Sequence, residues 1–391
     1  MGKQARFILA AFIATATLLA LAPALLFPRS TPINSSYGTT VLRLAFAGDI
    51  LTHQEQIDAA YNAEDGSYDF SGCFREIGPL LETVDLAFCD LEVVLAGEET
   101  GYTGYPCFNA PESLAAALKE AGFDLVSTVN NHCMDRGEAG VYRTLDHLEE
   151  AGLLSFGTYR SRVERDTPLL VTVKGIKMAF LGYTYCTNGI PLPEGRLYIV
   201  NMLEEAVILA DLAKARQSAD LVILYLHWGN EYQRFPSAEQ SEMAERFLSA
   251  GADMVIGSHP HVVQPVEFFK IVDGKKMLEK PVAYSLGNFI SDQRMPFTDT
   301  GIILFVDIVS DPATTRLAPG EVSFIPTWVH KHYHQGRLQY RVIPIPQALE
   351  KYRQGKDPSL DMGSYEQLQG ILRETSEHLQ FLPLYQDHAG R

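Results

Sequence analysis

Short apolar runs alternate with longer amphipathic stretches from residue 41 to residue 309. Runs at 41–47, 84–89, 123–129, 220–226, 252–256 and 281–286 predict buried strands. The runs at 169–173 and 177–183, parted by Lys174-Gly175, predict a hairpin. A 3.6-residue period predicts helices over 111–121, 140–151, 204–217 and 237–250, with Gly122 and Gly152 as stop signals. Residues 301–309 alternate and predict the strand that closes the main sheet, and 322–334 with 337–344 predict a late hairpin. Strands and helices in alternation predict one α/β domain over 41–310. Residues 311–391 then form the hairpin and a helical wrap of that same domain.

The amino terminus follows another pattern. Residues 1–6 carry Lys3 and Arg6 and no acid, and residues 7–27 carry no charge. That run matches the ~20 apolar residues needed to span a bilayer. The expectation is a transmembrane signal anchor at 1–27, a tether at 28–40 and an extracytoplasmic body attached to the cell membrane. Cleavage near Ala22-Pro23-Ala24, which would release a secreted body, is the alternative.

Charge narrows the partners. The chain holds 32 Lys and Arg against 48 Asp and Glu, a net charge of −16, so nucleic acid is not an expected partner. The five cysteines contain no CxxC spacing and indicate no disulfide framework, with a single Cys73–Cys107 bridge left open.

Candidate chemistry gathers at the ends of the predicted strands. Asp49 follows the first. Asp90 and Glu92 follow the second, and alternation points both acids to one side. Asn130-Asn131-His132, with Asp135 and Gly137, follow the third. His227 ends the strand at 220–226, and Glu231-Tyr232 come shortly after it. His259 and His261 flank Pro260 behind the strand at 252–256, and they face one way if the backbone stays extended. Gly257 is expected to allow a tight exit from that strand. Plainer readings stand beside these: Asp49 as a helix cap, Asp90 and Glu92 as exposed loop acids, Asn130 to His132 as turn chemistry. Loops at one edge of an α/β sheet converge in space, however, which makes five separate coincidences improbable. Oxygen and imidazole ligands suit one or two Mn, Fe or Zn ions. His330, His332 and His334 share one face of the late hairpin and are expected at a solvated strand end, and His147 is assigned no role.

With these motifs in this order, the sequence resembles the CapA (poly-γ-glutamate capsule synthesis) family within the calcineurin-like metallophosphatases. The likeness is carried by Gly48-Asp49, Asp90-Leu91-Glu92, Asn130-Asn131-His132 with Asp135, His227-Trp228-Gly229 with Glu231-Tyr232, Gly257 to His261, and Ser285 to Phe289 with Asn288. It implies a four-layered α/β/β/α sandwich. It also implies metal ligands at Asp49, Glu92, Asn131, His227, His259 and His261, with His132 as the acid that protonates the leaving group. Asp90, Asn130, Asp135, Glu231, Tyr232 and Asn288 are expected to support that set or meet substrate. Leu51 stands where the superfamily pattern has a histidine, and Glu92 stands for the usual bridging aspartate. The resemblance implies a metal-dependent hydrolase acting on an anionic envelope polymer such as poly-γ-glutamate, alongside membrane synthase subunits. A non-enzymatic polymer-binding subunit of the same machinery is the competing expectation.

Overall fold

The computed structural model describes residues 39–273, 276–310, 317–380 and 382–386. The expected anchor at 1–27 lies outside them. The expected tether at 28–40 overruns the first strand, because Thr39 and Thr40 already pair with Ser310 and Val309. Among the described residues, no helix is long and apolar enough to cross a membrane.

Among the described residues, fourteen strands form two sheets. In chain order, β1 (Thr39–Ile50), β2 (Leu86–Leu91), β3 (Leu125–Ser127) and β4 (Leu154–Phe156) run parallel in the first sheet. The second sheet is built from β5 (Leu169–Val173), β6 (Ile176–Thr184), β7 (Leu221–His227), β8 (Met254–Ser258), β9 (Val266–Asp273) and β10 (Lys276–Ala283). Its order is β5-β6-β7-β8-β10-β9, with β6, β7 and β8 parallel. The chain then returns to the first sheet as β11 (Asn288–Ile290), β12 (Thr300–Ser310), β13 (Leu317–His334) and β14 (Arg337–Pro344), in the order β14-β13-β12-β1-β2-β3-β4, with β11 on β1.

Packing follows from strand periodicity. Leu42, Leu44 and Phe46 of β1 alternate with Ala45 and Ala47, so β1 feeds two different cores. The first three meet Met178, Phe180, Ile223, Tyr225 and Ile256 between the sheets. Ala45 and Ala47 face Leu114, Leu118 and Leu148 of the helices Ser113–Glu120 and Gly137–Glu150. On the far side of the second sheet, Leu181, Val222 and Leu224 meet Leu212 and Phe247 of Glu205–Ala215 and Ala238–Ala250. The result is a mixed α/β fold of two stacked sheets with helices on both outer faces. The carboxyl ends of β1, β2 and β3 and those of β6, β7 and β8 meet at one edge.

Several expectations change. The strand placed at 301–309 is β12, which lies in the middle of its sheet beside β1 rather than closing it. β9 and β4 have no counterpart in the expected elements, and of the strand placed at 281–286 only 281–283 belong to β10, as its end. The late hairpin is no solvated strand end throughout: His330 is only 4% exposed and stacks between Trp328 and His332, at 4.7 and 4.5 Å. Only its tip, with His334, is exposed. All five cysteines are free, so the Cys73–Cys107 bridge is not formed. The carboxyl-terminal helices Ile345–Arg353 and Met362–His378 bury Ile345, Leu349 and Leu368 against Trp328 and Ile343.

Candidate metal centre

Strand registers bring the candidate ligands together. Asp49 sits beside Asp90 across β1 and β2, and beside Asn288 across β1 and β11. His227 lies opposite Ser258, the residue before His259. Asp49, Asp90 and His227 form one buried trio, and Glu92, His259 and His261 form another. Glu92 links the two, with one carboxylate oxygen 3.6 Å from His227 Nε2 and the other 3.7 Å from His261 Nδ1. Asp90 was expected only as a supporting residue. The structure puts it inside the carboxylate group, 3.6 Å from His227 Nδ1.

Glycine makes this convergence sterically possible. A Cβ on Gly48 would lie 1.8 Å from the Gly287 carbonyl oxygen, so the Gly48-Asp49 motif and the Gly287-Asn288 motif pack backbone to backbone. Gly257 acts the same way. Its Cβ would lie 2.1 Å from the Tyr284 carbonyl oxygen, so it serves close approach inside β8 rather than a turn out of it. The backbone beyond β8 is not extended, contrary to expectation. His259 has φ 99° and His261 φ 59°, left-handed values that bulky residues rarely adopt. The two rings still reach one cluster, 5.8 Å apart, through this strained loop rather than by strand alternation.

Electrostatics gives the site its character. Asp49, Asp90 and Glu92 are fully buried. Both oxygens of Asp49, both of Glu92 and Oδ2 of Asp90 lack a hydrogen-bond partner, as does His259 Nδ1. Burial, reinforced by Asp49, holds the Asp90 and Glu92 carboxyls well above the usual carboxylate range. Burial and the neighbouring imidazoles push His227 well below the ordinary histidine value and His259 down to about 3. Carboxylates buried without partners are costly unless a cation compensates them. Neutral imidazoles beside them have the protonation state that ligation needs. The donor set therefore fits one or two divalent cations.

The remaining predicted residues surround this cluster. Asn131 Oδ1 lies 2.7 Å from His227 Nε2. Asn130 donates to the Leu91 carbonyl at 2.8 Å and to Asp90 at 3.4 Å, and its own carbonyl oxygen accepts from His132 N–H. His132 Nδ1 lies 2.8 Å from Asp135 Oδ2, which also accepts the Phe108 N–H. Asn288 Oδ1 lies 3.0 Å from His261 Nδ1. Glu231 and Tyr232 are exposed at the rim, with the Tyr232 ring 6.0 Å from His261.

Other contacts escaped the sequence reading. Phe108 sets its ring edge-on to His132 at 4.7 Å, and Tyr185 packs on His259 at 4.6 Å. Ser258 Oγ lies 2.9 Å from His227 Nδ1. Asn188 touches both Asn131 and His132. Tyr185 and Asn188 follow β6, so a polar residue behind a buried strand, the same signal that marked the other motifs, would have found them. His53 lies in neither trio, and its Nδ1 accepts the Asp292 N–H at 3.2 Å.

The sequence profile described as "Bacterial capsule synthesis protein PGA_cap" matches residues 43–293, which contain every one of these motifs. The chain belongs to this capsule synthesis family. Within it, the chain is 30% identical over 266 residues to the capsule biosynthesis protein CapA of Bacillus anthracis, covering 64% of this chain and 60% of that relative. It is 25% identical over 268 residues to the PGA biosynthesis protein CapA of Bacillus subtilis, covering 67% of each. The chain thus spans about three fifths of the Bacillus anthracis protein's length. Among solved structures, the NAD nucleotidase of Haemophilus influenzae is similar with a TM-score of 0.46 and 12% identity, over 86% of this chain and 60% of that one.

Proposed function

We propose that this protein is a metal-dependent hydrolase of the cell envelope, held at the membrane by its amino-terminal apolar segment with its body outside the cytoplasm. Its substrate is an ester or amide bond of an anionic envelope polymer, with poly-γ-glutamate the leading candidate. The observation that carries this reading is the cluster of buried carboxylate oxygens without hydrogen-bond partners, set beside the imidazoles of His227, His259 and His261. The family supports a place in capsule synthesis, and the cluster supports chemistry there.

Asp49, Asp90, Glu92, Asn131, His227, His259 and His261 are the ligands we assign. A bound Mn, Fe or Zn ion supplies Lewis-acid activation of substrate and water. Glu92 reaches imidazoles of both trios and is the natural shared ligand. Asn288 and Ser258 orient His261 and His227 from behind, as outer-shell partners do. Asp135 holds the Nδ1 side of His132, which leaves Nε2 free to deliver a proton to the leaving group.

A second reading has one observation in its favour. Leu51 is buried where the superfamily pattern has a histidine, which removes a ligand from the first motif. With a weaker centre, the cation would grip polymer carboxylates without cleaving them, as a subunit of a synthesis and export complex.

The test is elemental analysis of the full-length detergent-solubilised protein and of its His259→Ala/His261→Ala variant. One or two equivalents in the parent and none in the variant are expected. Phosphoesters and γ-glutamyl polymers are then screened for turnover. His132→Ala should keep the metal and lose turnover, whereas unchanged polymer binding without turnover in either protein supports the second reading. A parent that holds no metal after reconstitution with Mn²⁺, Fe²⁺ and Zn²⁺ defeats both.

A further inference from the structure

The segment behind β6 belongs to no motif discussed so far, yet it closes one side of the metal centre. Tyr185 N–H donates to the His227 carbonyl at 3.1 Å, which ties the segment to the end of β7. Thr184 Oγ1 donates to the Cys186 carbonyl and Thr187 Oγ1 to the Ile190 carbonyl, so the turn is braced from inside. Asn188 is exposed and has φ 51°, a left-handed conformation that asparagine tolerates better than most residues. The turn directs its side chain back toward the buried site.

Two contacts define what Asn188 does. Its Oδ1 accepts from Asn131 Nδ2 at 3.2 Å. Its Nδ2 lies 3.4 Å from both ring nitrogens of His132. A donor in the ring plane reaches only one imidazole nitrogen, so equal distances put the amide over the ring face. The Nδ1 side of that ring is already engaged by Asp135.

The Asn131 contact has a consequence for the metal. A carboxamide has two ends of nearly equal shape, and only its partners decide which faces which way. As placed, Asn188 presents an acceptor to Asn131, an arrangement in which Asn131 turns its NH₂ outward and its carbonyl oxygen toward His227, 2.7 Å away. A His227 that gives its Nε2 lone pair to a cation has no proton left there for Asn131. Among the described residues, the hydrogen bond to Asn188 is then the contact that still orients the ligand oxygen.

We infer that Asn188 is a positioning residue of the metal centre: it sets the orientation of the Asn131 amide, and with it the oxygen offered to the metal, and it covers one face of His132. The inference rests on the metal-centre reading above. Outer-shell partners of this kind change metal affinity by about 10–100-fold.

The experiment measures metal affinity of the full-length protein by competition with a chromophoric chelator, using Zn²⁺ and Mn²⁺. Asn188→Gly keeps the left-handed backbone free of strain and removes only the amide. It should weaken binding about 10-fold or more while leaving the melting temperature in EDTA unchanged. Asn188→Asp keeps an acceptor for Asn131 and should bind metal at least as tightly as the parent. An Asn188→Gly variant with parental affinity overturns the inference. So does an Asn188→Asp variant that loses as much affinity as the glycine variant. If the parent itself binds no metal, the metal-centre reading has failed, which is a distinct result.

Discussion

Glu92→Gln should stabilise the metal-free protein and remove most of its stabilisation by metal. In the metal-free state this carboxylate is fully buried, neither oxygen has a hydrogen-bond partner, and Asp49 and Asp90 both repel it. An uncompensated buried polar group costs about 1–3 kcal/mol, and more when charged. With its carboxyl held well above the usual range, Glu92 must either stay ionised against that repulsion or take up a proton on folding at neutral pH, and glutamine avoids both costs. With an unfolding entropy near 2.1 cal/mol/K per residue, 1 kcal/mol shifts the melting temperature of a body this size by roughly 1.4 °C. The variant should therefore melt about 1–4 °C above the parent in EDTA. Metal closes or reverses that gap. At 100 times its Kd, a ligand adds about 2.7 kcal/mol, which is about 4 °C for the parent. The variant lacks the carboxylate that spans His227 and His261 and should gain little. Differential scanning calorimetry of both proteins, in EDTA and in saturating Mn²⁺ or Zn²⁺, reads both effects. A metal-free variant that melts below the parent, or equal metal-induced shifts in the two proteins, would refute the reasoning.

Three further perturbations probe other parts of the molecule. Gly48→Ala places a methyl group 1.8 Å from the Gly287 carbonyl oxygen; it should destabilise the protein by about 3 kcal/mol or more, as overpacking does, and abolish metal binding, and a parental melting curve would contradict the close approach. His330 is held neutral by burial, its pKa pushed down to about 3 from an ordinary 6.5. Unfolded chains therefore take up a proton first as pH falls below 6.5, so the stability His330 supports is complete above that value and is lost on acidification toward pH 3. Replacing it by glutamine should flatten the fall in urea-derived stability by up to about 1.4 kcal/mol per pH unit, and identical slopes would count against a neutral His330. Phe108→Ala removes the ring that rests on both His132 and His53. It should lower turnover while leaving metal content intact, as measured by elemental analysis, and loss of metal would show instead that this ring holds the ligands in place.

Much of the site was legible because each predicted strand end carried unusual chemistry. Asp49, Asp90, Glu92, Asn131, His227, His259 and His261 do meet at one edge, and strand parallelism is the reason. The details were not legible where local rules gave way to tertiary contact. Alternation predicted an extended His259-Pro260-His261, whereas the loop is left-handed at both histidines. Gly257 looked like a turn residue but serves the approach of the Tyr284 backbone. Asp90 was read as supporting the ligand set or meeting substrate, and the β1–β2 register puts it next to Asp49. His330 looked solvated because its strand is polar, and only the stack with Trp328 and the carboxyl-terminal helices hides it.

By itself, the sequence determined the alternation of strands and helices, the order of the motifs and the family they belong to. These properties are local: apolar periodicity selects strand or helix, and residue type selects possible ligands. Tertiary structure decided which strands enter each of the two sheets, that β12 lies beside β1, and that Gly48 meets Gly287 across 239 positions of sequence. It also decided that a turn outside every motif supplies Asn188 to the centre. Such contacts join distant parts of the chain, and their energies depend on which surfaces face each other, a property that no single stretch of sequence carries.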